Sequence, residues 1–250
     1  MQPKQGLVTI LDALGASKYK GREIGQFQKS RELVLDELRD KAVQKFGPID
    51  AHRVTTFTFN DTVVIVHRTE GAVGLQDVQA FGELIRRFAI RSLANGILFR
   101  GSIAIGQFYV NSRTNIVMGD SVADAAAWYE RADWIGIAAT PQATLIIQSL
   151  IEQGHKDIGH LMVDYPVPFK DRPPITLKAV NWPKAFFVRG MTPCATSEEQ
   201  RAKCLSLLAQ HGIPSGTESK YFNSIKFFDD CVGLWYKERK KMRESGPNQR

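Results

Sequence analysis

Cysteine is scarce: Cys194, Cys204 and Cys231 are the only three in 250 residues. An odd number without paired spacing argues against a disulfide framework or a thiolate zinc site. Long apolar runs are missing too. The opening, MQPKQGLVTILDALG, has no basic flank leading into a hydrophobic segment, and no window reaches the roughly 20 apolar residues of a spanning helix. These absences predict a cytoplasmic protein that does not enter a membrane. GxxxxGK[ST], GxGxxG after a strand, GxSxG and HExxH are all missing, so P-loop, dinucleotide-binding, nucleophile-elbow and zincin chemistries lack support. His67, His155, His160 and His211 form no metal pair at helical spacing.

What is present suits an ordinary globular chain, 43% hydrophobic and 24% charged. Lys plus Arg exceed Asp plus Glu by 33 to 26, a formal charge of +7. Part of the excess lies in KERKKMRE, residues 237–244. That run reads as a solvated helix end or as a phosphate-binding strip. Nucleic acid ranks last among partners, because no aromatic platforms interleave the basic residues.

Periodicity orders the chain. Residues 6–13, GLVTILDA, predict a buried strand, and EIGQFQKSRELVLDELRDKAVQKF predicts a helix with Ile24, Phe27, Leu33, Val34, Leu38, Ala42 and Phe46 on its apolar side. Residues 53–68 alternate about Asn60-Asp61 as a hairpin. A second helix closes at Asn95-Gly96. ILFRGSIAIGQFYV gives a strand or strand pair, and residues 119–132 a helix capped by Asp120 or Ser121. WIGIAAT, PQATLIIQSLIEQG and PPITLKAVNW give strand, helix and strand. The order β, α, ββ, α, β(β), α, β, α, β predicts an α/β domain with a mixed sheet over residues 1–183. Residues 184–250 read as a helical carboxyl-terminal extension packed on it, with helices near 196–211 and 217–242. In the second, Phe222, Ile225, Phe228 and Leu234 recur at helical spacing and predict a packed stripe.

Two carboxylates stand out. Asp12 ends the first strand and Asp61 sits at the hairpin tip. If those strands are neighbours, both acids reach one crevice, where hard oxygen donors suit Mg²⁺ or Mn²⁺. The alternative is that Asp61 supplies turn chemistry and Asp12 merely ends a strand. Between them in purpose lies DALGAS, residues 12–17, a turn whose amides could face a phosphate.

Four blocks together resemble the class III nucleotide cyclases. ILDALGAS resembles the family's first-strand motif, and FTFNDTVVIV its hairpin motif, with Asn60 where glycine is usual. FRGSIAIGQFYV resembles the strand after the second helix, and IVMGDSVADAAAWYERADWIGIAAT the closing block. They occur in family order over residues 7–140. The resemblance implies a ferredoxin-like core with a mainly antiparallel sheet. It also implies a homodimer with active sites at the subunit interface, and conversion of a nucleoside triphosphate to a 3′,5′-cyclic monophosphate and pyrophosphate. It places two Mn²⁺ or Mg²⁺ ions on Asp12, Asp61 and the Ala13 carbonyl, and the triphosphate on the amides of Leu14, Gly15, Ala16 and Ser17. Arg100 would bind a phosphate or the base, or else pair with a carboxylate. Arg91, Arg131 and Tyr19 are weaker candidates for ligand contact.

The chain also departs from the family pattern. Phe57 and Ile116 occupy the two positions that select a purine, and neither can hydrogen-bond a base. Where the family helix carries an Asn and a transition-state Arg, this chain offers Ala123 and Ala127, or Trp128 in a shifted register anchored on Glu130. The whole chain is similar to the bacterial pyrimidine cyclases of Pycsar antiphage signalling, which implies UTP, with CTP or a purine triphosphate as alternatives. A cyclase-like module that binds nucleotide without turnover is the remaining reading.

Overall fold

The computed structural model describes residues 2–15, 25, 27–29, 31–36, 53–154, 158–186 and 196–244, with side chains described to 237. Strand β1 (Lys4–Ala13) is followed by helix α1, described at 25, 27–29 and 31–36, and by the hairpin β2 (Val54–Phe59) and β3 (Thr62–Thr69). Helix α2 (Leu75–Ala94) then leads to β4 (Phe99–Asn111), which folds back as β5 (Ile116–Met118). Next come α3 (Asp120–Tyr129), β6 (Ile137–Ala139), α4 (Pro141–Gly154), β7 (Met162–Val167) and β8 (Ile175–Val180). A short 3₁₀ turn (Pro183–Phe186) precedes α5 (Ser197–Leu208) and α6 (Glu218–Glu244).

The described strands form one sheet of order β2-β3-β1-β4-β6-β8-β7, with β5 paired to β4. Only the β4–β6 pairing is parallel among them. The β1-α1-β2-β3-α2-β4 portion, with β1 between β3 and β4, is the ferredoxin-like βαββαβ arrangement. It is a mixed α/β fold with a mainly antiparallel sheet, as the sequence predicts.

Strand alternation sorts β1 between two cores. Leu7, Leu11 and Ala13 pack with the helical residues Phe27, Val34 and Leu35 and with Phe81, Ile85 and Phe88 of α2. Val8 and Ile10 point the other way, joining Phe57, Val64, Val66, Ala104, Phe108 and Ala125 of α3. Each large side chain so buried contributes about 1.5–3 kcal/mol. Helix α3 lies close because its inward residue is Ala125, whose carbonyl accepts the Ser102 hydroxyl at 2.5 Å.

A third core joins the carboxyl-terminal helices to the end of the sheet. Trp134 stacks on Tyr165 at 5.5 Å, and Phe227 meets both edge-on at 5.0 and 4.6 Å. Cys204 and Leu208 of α5 and Tyr221, Phe228 and Cys231 of α6 close it. Burial pushes both thiols up to about 12, so they are neutral packing groups.

Four local expectations change. The inward stripe of α6 is Tyr221, Ser224, Phe227, Phe228 and Cys231, whereas Phe222 and Leu234 are exposed. With aromatics in adjacent positions, a helical period alone did not choose the stripe. Strand β7, not expected, contains Pro166; it lies at the sheet's edge, where a missing N–H is tolerated. Neither Asp120 nor Ser121 caps α3: the N-cap is Gly119, and Ser121 donates instead to the Gln107 carbonyl at 2.8 Å. Leu33, placed on the apolar side of α1, is exposed.

His67 on β3 is buried against Phe81, its Nδ1 without a hydrogen-bond partner among the described residues. Burial lowers its pKa below 6.5, outweighing the opposing pull of Asp77. The unfolded chain therefore binds the proton more readily, and stability rises with pH through this window. The expected outcome is a denaturation midpoint that falls as pH drops from 6.5 toward the lowered folded value. His67→Phe should flatten that slope; equal slopes in both proteins would remove His67 as its source.

Candidate active site

The site forms where β1 ends. Asp12 is paired with Thr62 of β3 on one side and Arg100 of β4 on the other. One residue on, the Ala13 amide donates to the Asp61 carbonyl at 3.1 Å, so Asp61 adjoins the end of β1. The hairpin tip reaches this place through Asn60, whose φ of 51° is a left-handed value that Asn tolerates. Arg31 of α1 donates from Nη1 to the Asn60 carbonyl at 2.7 Å and secures the tip. A side chain at Gly101 would meet the Ile10 carbonyl at 2.6 Å; glycine there lets β4 lie against β1 beside Asp12.

Arg100 resolves one of its alternatives. Its Nε and Nη2 both lie 2.8 Å from Asp12 Oδ2, with the two side chains 14% and 17% exposed. Asp12 Oδ1 has no partner among the described residues, nor does the Asp61 carboxylate. The backbones of the two residues adjoin at the end of β1, and carboxylates are the hard oxygen donors that a divalent cation keeping water or phosphate as its other ligands would take. They do not make an all-protein cage: among the described residues no cluster of three or more His, Cys, Asp or Glu side chains exists.

Around Arg100 lie groups that sequence reasoning did not find. Its Nη1 donates to the Glu130 carbonyl at 3.3 Å, and Lys170 Nζ donates to the same oxygen at 2.6 Å. The Tyr129 ring lies 5.7 Å from the Arg100 guanidinium carbon. Burial, then the charges of Glu130 and Asp12, raise the Tyr129 pKa, so its hydroxyl keeps its proton at neutral pH. Lys170 stands in the β7–β8 loop and carries no motif; only the tertiary fold brings it here. Ala123 and Ala127 are exposed on α3 and offer no hydrogen-bonding group.

Other expected residues fall as follows. The Leu14 amide donates to the Leu98 carbonyl at 2.8 Å, so it serves the β1–β4 ladder and does not face a phosphate. Gly15 follows at φ 80°, where the chain needs glycine to turn. Ala16, Ser17 and Tyr19 lie outside the described residues. Phe57 is 2% exposed beneath α3, so a ligand at this surface would meet little of it. Trp128 meets Phe169 edge-on at 5.5 Å and carries Arg131 and Arg172 over its ring. Arg131 also pairs with Asp171 at 2.5 Å, which holds that carboxyl below its usual range. Among the described residues no helix is long and apolar enough to cross a membrane.

No family model and no curated protein matches the chain. Among solved structures it is similar to the catalytic core of a rhodopsin-guanylyl cyclase with converted specificity in complex with ATPαS. The identity is 14% over 72% of this chain and 96% of that one, with a TM-score of 0.46. It is also similar to an adenylate/guanylate cyclase/hydrolase from Silicibacter pomeroyi, at 17% identity over 72% and 98%, TM-score 0.46. Adenylate cyclases from Trypanosoma brucei match at 10% identity over 72% and 90%, TM-score 0.42.

The Asp12–Arg100 pair is measurable. Removing either partner leaves the other charge half-desolvated, and each single substitution, Asp12→Asn or Arg100→Met, should cost about 1–3 kcal/mol in urea denaturation. The double variant should cost less than their sum, giving a coupling of roughly 1 kcal/mol or more. Strict additivity would show that the pair is not energetically joined.

Proposed function

We propose that this chain is a metal-dependent nucleotidyl cyclase acting on a pyrimidine nucleoside triphosphate, with UTP favoured. One observation carries the reading: Asp12 and Asp61, 49 positions apart in number, stand at one end of neighbouring strands, tied by the Ala13–Asp61 backbone bond, with Arg100 on Asp12. This is the relation that the four sequence blocks require.

In the proposed reaction the ribose 3′-oxygen gives its proton to solvent water and bonds to the α-phosphorus, while the bond from that phosphorus to the bridging oxygen breaks and pyrophosphate departs. Mg²⁺ or Mn²⁺ held by Asp12, Asp61 and the Ala13 carbonyl would supply charge neutralisation at the phosphates and a more acidic hydroxyl. The chain's own part is positioning and fixed charge, which dominate phosphoryl transfer. Gly15, Ala16 and Ser17 give backbone to the phosphates, and Arg100 gives a planar fork whose Nη1 already reaches past Asp12. Phe57 and Ile116 bring no hydrogen-bonding group at the two positions where the resemblance puts purine selection, which speaks against a purine-reading pocket, and the preference for UTP rests on the overall likeness. A homodimer with sites at the subunit interface belongs to the same proposal, as does residence in the cytoplasm. A role as a second-messenger synthase in antiphage defence rests on the overall likeness to pyrimidine cyclases.

A nucleotide-binding module without turnover is the second reading, favoured by Ala123 and Ala127, which leave α3 without its usual polar pair.

Purified protein incubated with each nucleoside triphosphate and Mn²⁺ should yield a cyclic monophosphate, most from UTP. Asp61→Ala should reduce the rate by about a hundredfold or more, the scale of losing a preorganised electrostatic group. Cyclic product at the wild-type rate from that variant refutes the metal assignment. Nucleotide affinity with no product under any metal selects the second reading.

A further inference from the structure

Helix α6 belongs to the extension, yet its first turns lie against the candidate site. Two contacts to the segment after α3 set its register, and a bond within the helix orients the Ser224 hydroxyl. Asn223 donates to the Asp133 carbonyl at 2.7 Å, the Ile135 amide donates to Ser224 Oγ at 2.6 Å, and Ser224 donates to the Lys220 carbonyl at 2.6 Å. Tyr221, Phe227 and Phe228 are buried in the aromatic cluster beneath. With that face fixed, Lys220 stands half-buried at the edge of the group formed by Arg100 and Lys170. Arg100 and Lys170 already share the Glu130 carbonyl.

Lys220 makes no ion pair among the described residues. Burial first, then the repulsion of Arg100 and Lys170, lowers its pKa, while Asp133 and Asp12 pull the other way. Arg100 and Lys170 share the Glu130 carbonyl, and Lys220 stands on the turn of α6 that is tied to Asp133 and Ile135, within the field of both cations. The acids facing the three are Asp12, paired with Arg100, and Asp133. Like charges brought together cost stability. An oligoanion seated among them removes that cost, whereas a purely structural lysine at this position would gain from facing solvent.

We propose that Lys220 is a phosphate-binding residue supplied by the carboxyl-terminal helix, completing with Arg100 and Lys170 a seat for the triphosphate chain of the substrate. This rests on the cyclase reading and extends it: the extension contributes a charge to the site that α3, with Ala123 and Ala127, does not. Lys220 would act on the phosphates and on the departing pyrophosphate, and takes no part in moving the 3′-proton.

The test separates this proposal from the cyclase reading by using inorganic tripolyphosphate as a probe, without nucleotide. Titration calorimetry and thermal unfolding are measured on the full chain for wild type, Lys220→Met, Lys220→Arg and Lys226→Met. The last removes the same charge from an exposed position on α6, where Lys226 pairs with Asp230. Lys220→Met should bind tripolyphosphate about tenfold more weakly, one charged contact's worth. It should also melt at or above the wild-type temperature without the anion, and gain less from it. Lys220→Arg should restore most of the affinity, and Lys226→Met should match wild type. Where the chain forms cyclic product, Lys220→Met should raise KM or lower kcat by a similar factor. Tripolyphosphate bound equally by wild type and Lys220→Met overturns the proposal, whatever the activity. So does an equal loss in Lys226→Met, which would mark a diffuse charge effect. Cyclase failure with the binding difference intact leaves Lys220 a phosphate ligand and removes only the reaction.

Discussion

Strand β1 is held from both sides, by β3 over Gln5–Asp12 and by β4 over Lys4–Ala13. Everything about the site depends on that register. Side chains alternate with a period of two, so a one-residue slip would turn Asp12 into the core of α1, α2 and α4 and drive Leu11 toward α3. The two apolar cores on opposite faces forbid the slip, because each takes its own set of β1 side chains. The carboxylate of Asp12 thus owes its position to Val8, Ile10, Leu7 and Leu11. The same pairing delivers Arg100 and Thr62 as its neighbours. No loop has to find them.

The carboxyl-terminal helices extend this logic from backbone to aromatic packing. Trp134 ends the segment that follows α3, and its ring is shared between Tyr165 of β7 and Phe227 of α6. The sheet edge, the helix and the Glu130 carbonyl are therefore parts of one packed unit. Arg100 of β4 and Lys170 of the β7–β8 loop share the Glu130 carbonyl, and burial of Tyr221 and Phe228 fixes the turn of α6 that carries Lys220.

Much of this was legible in the residues. Alternation in VTTFTFNDTVVIV placed the hairpin, and helical period placed α2, α4, α5 and α6 to within a few residues. The nearness of Asp12 and Asp61 was legible only on the condition that β1 lies beside the hairpin, which the β1–β3 pairing meets for the backbone. Three kinds of feature were not legible. Phe57 and Phe59 alternate identically, yet one is buried and the other exposed, because α3 covers only part of that face. The inward stripe of α6 was ambiguous where Tyr221, Phe222, Phe227 and Phe228 supply aromatics on adjacent positions. Lys170 and Lys220 belong to no motif, and their meeting with Arg100 is a product of tertiary packing. Strand β7, with Pro166 inside it, is absent from the sequence-based order, since nothing local says which strand is outermost.

That proline has a consequence at the other end of the molecule. Pro166 pairs with Thr176 inside the sheet's last ladder, and the outer side of β7 lacks a donor at that point. A further strand arriving there would find a gap in the row of amides it needs. Lateral growth of the sheet, whether into an orderly chain of copies or into a fibril, is disfavoured at this border, while β2 forms the sheet's other edge.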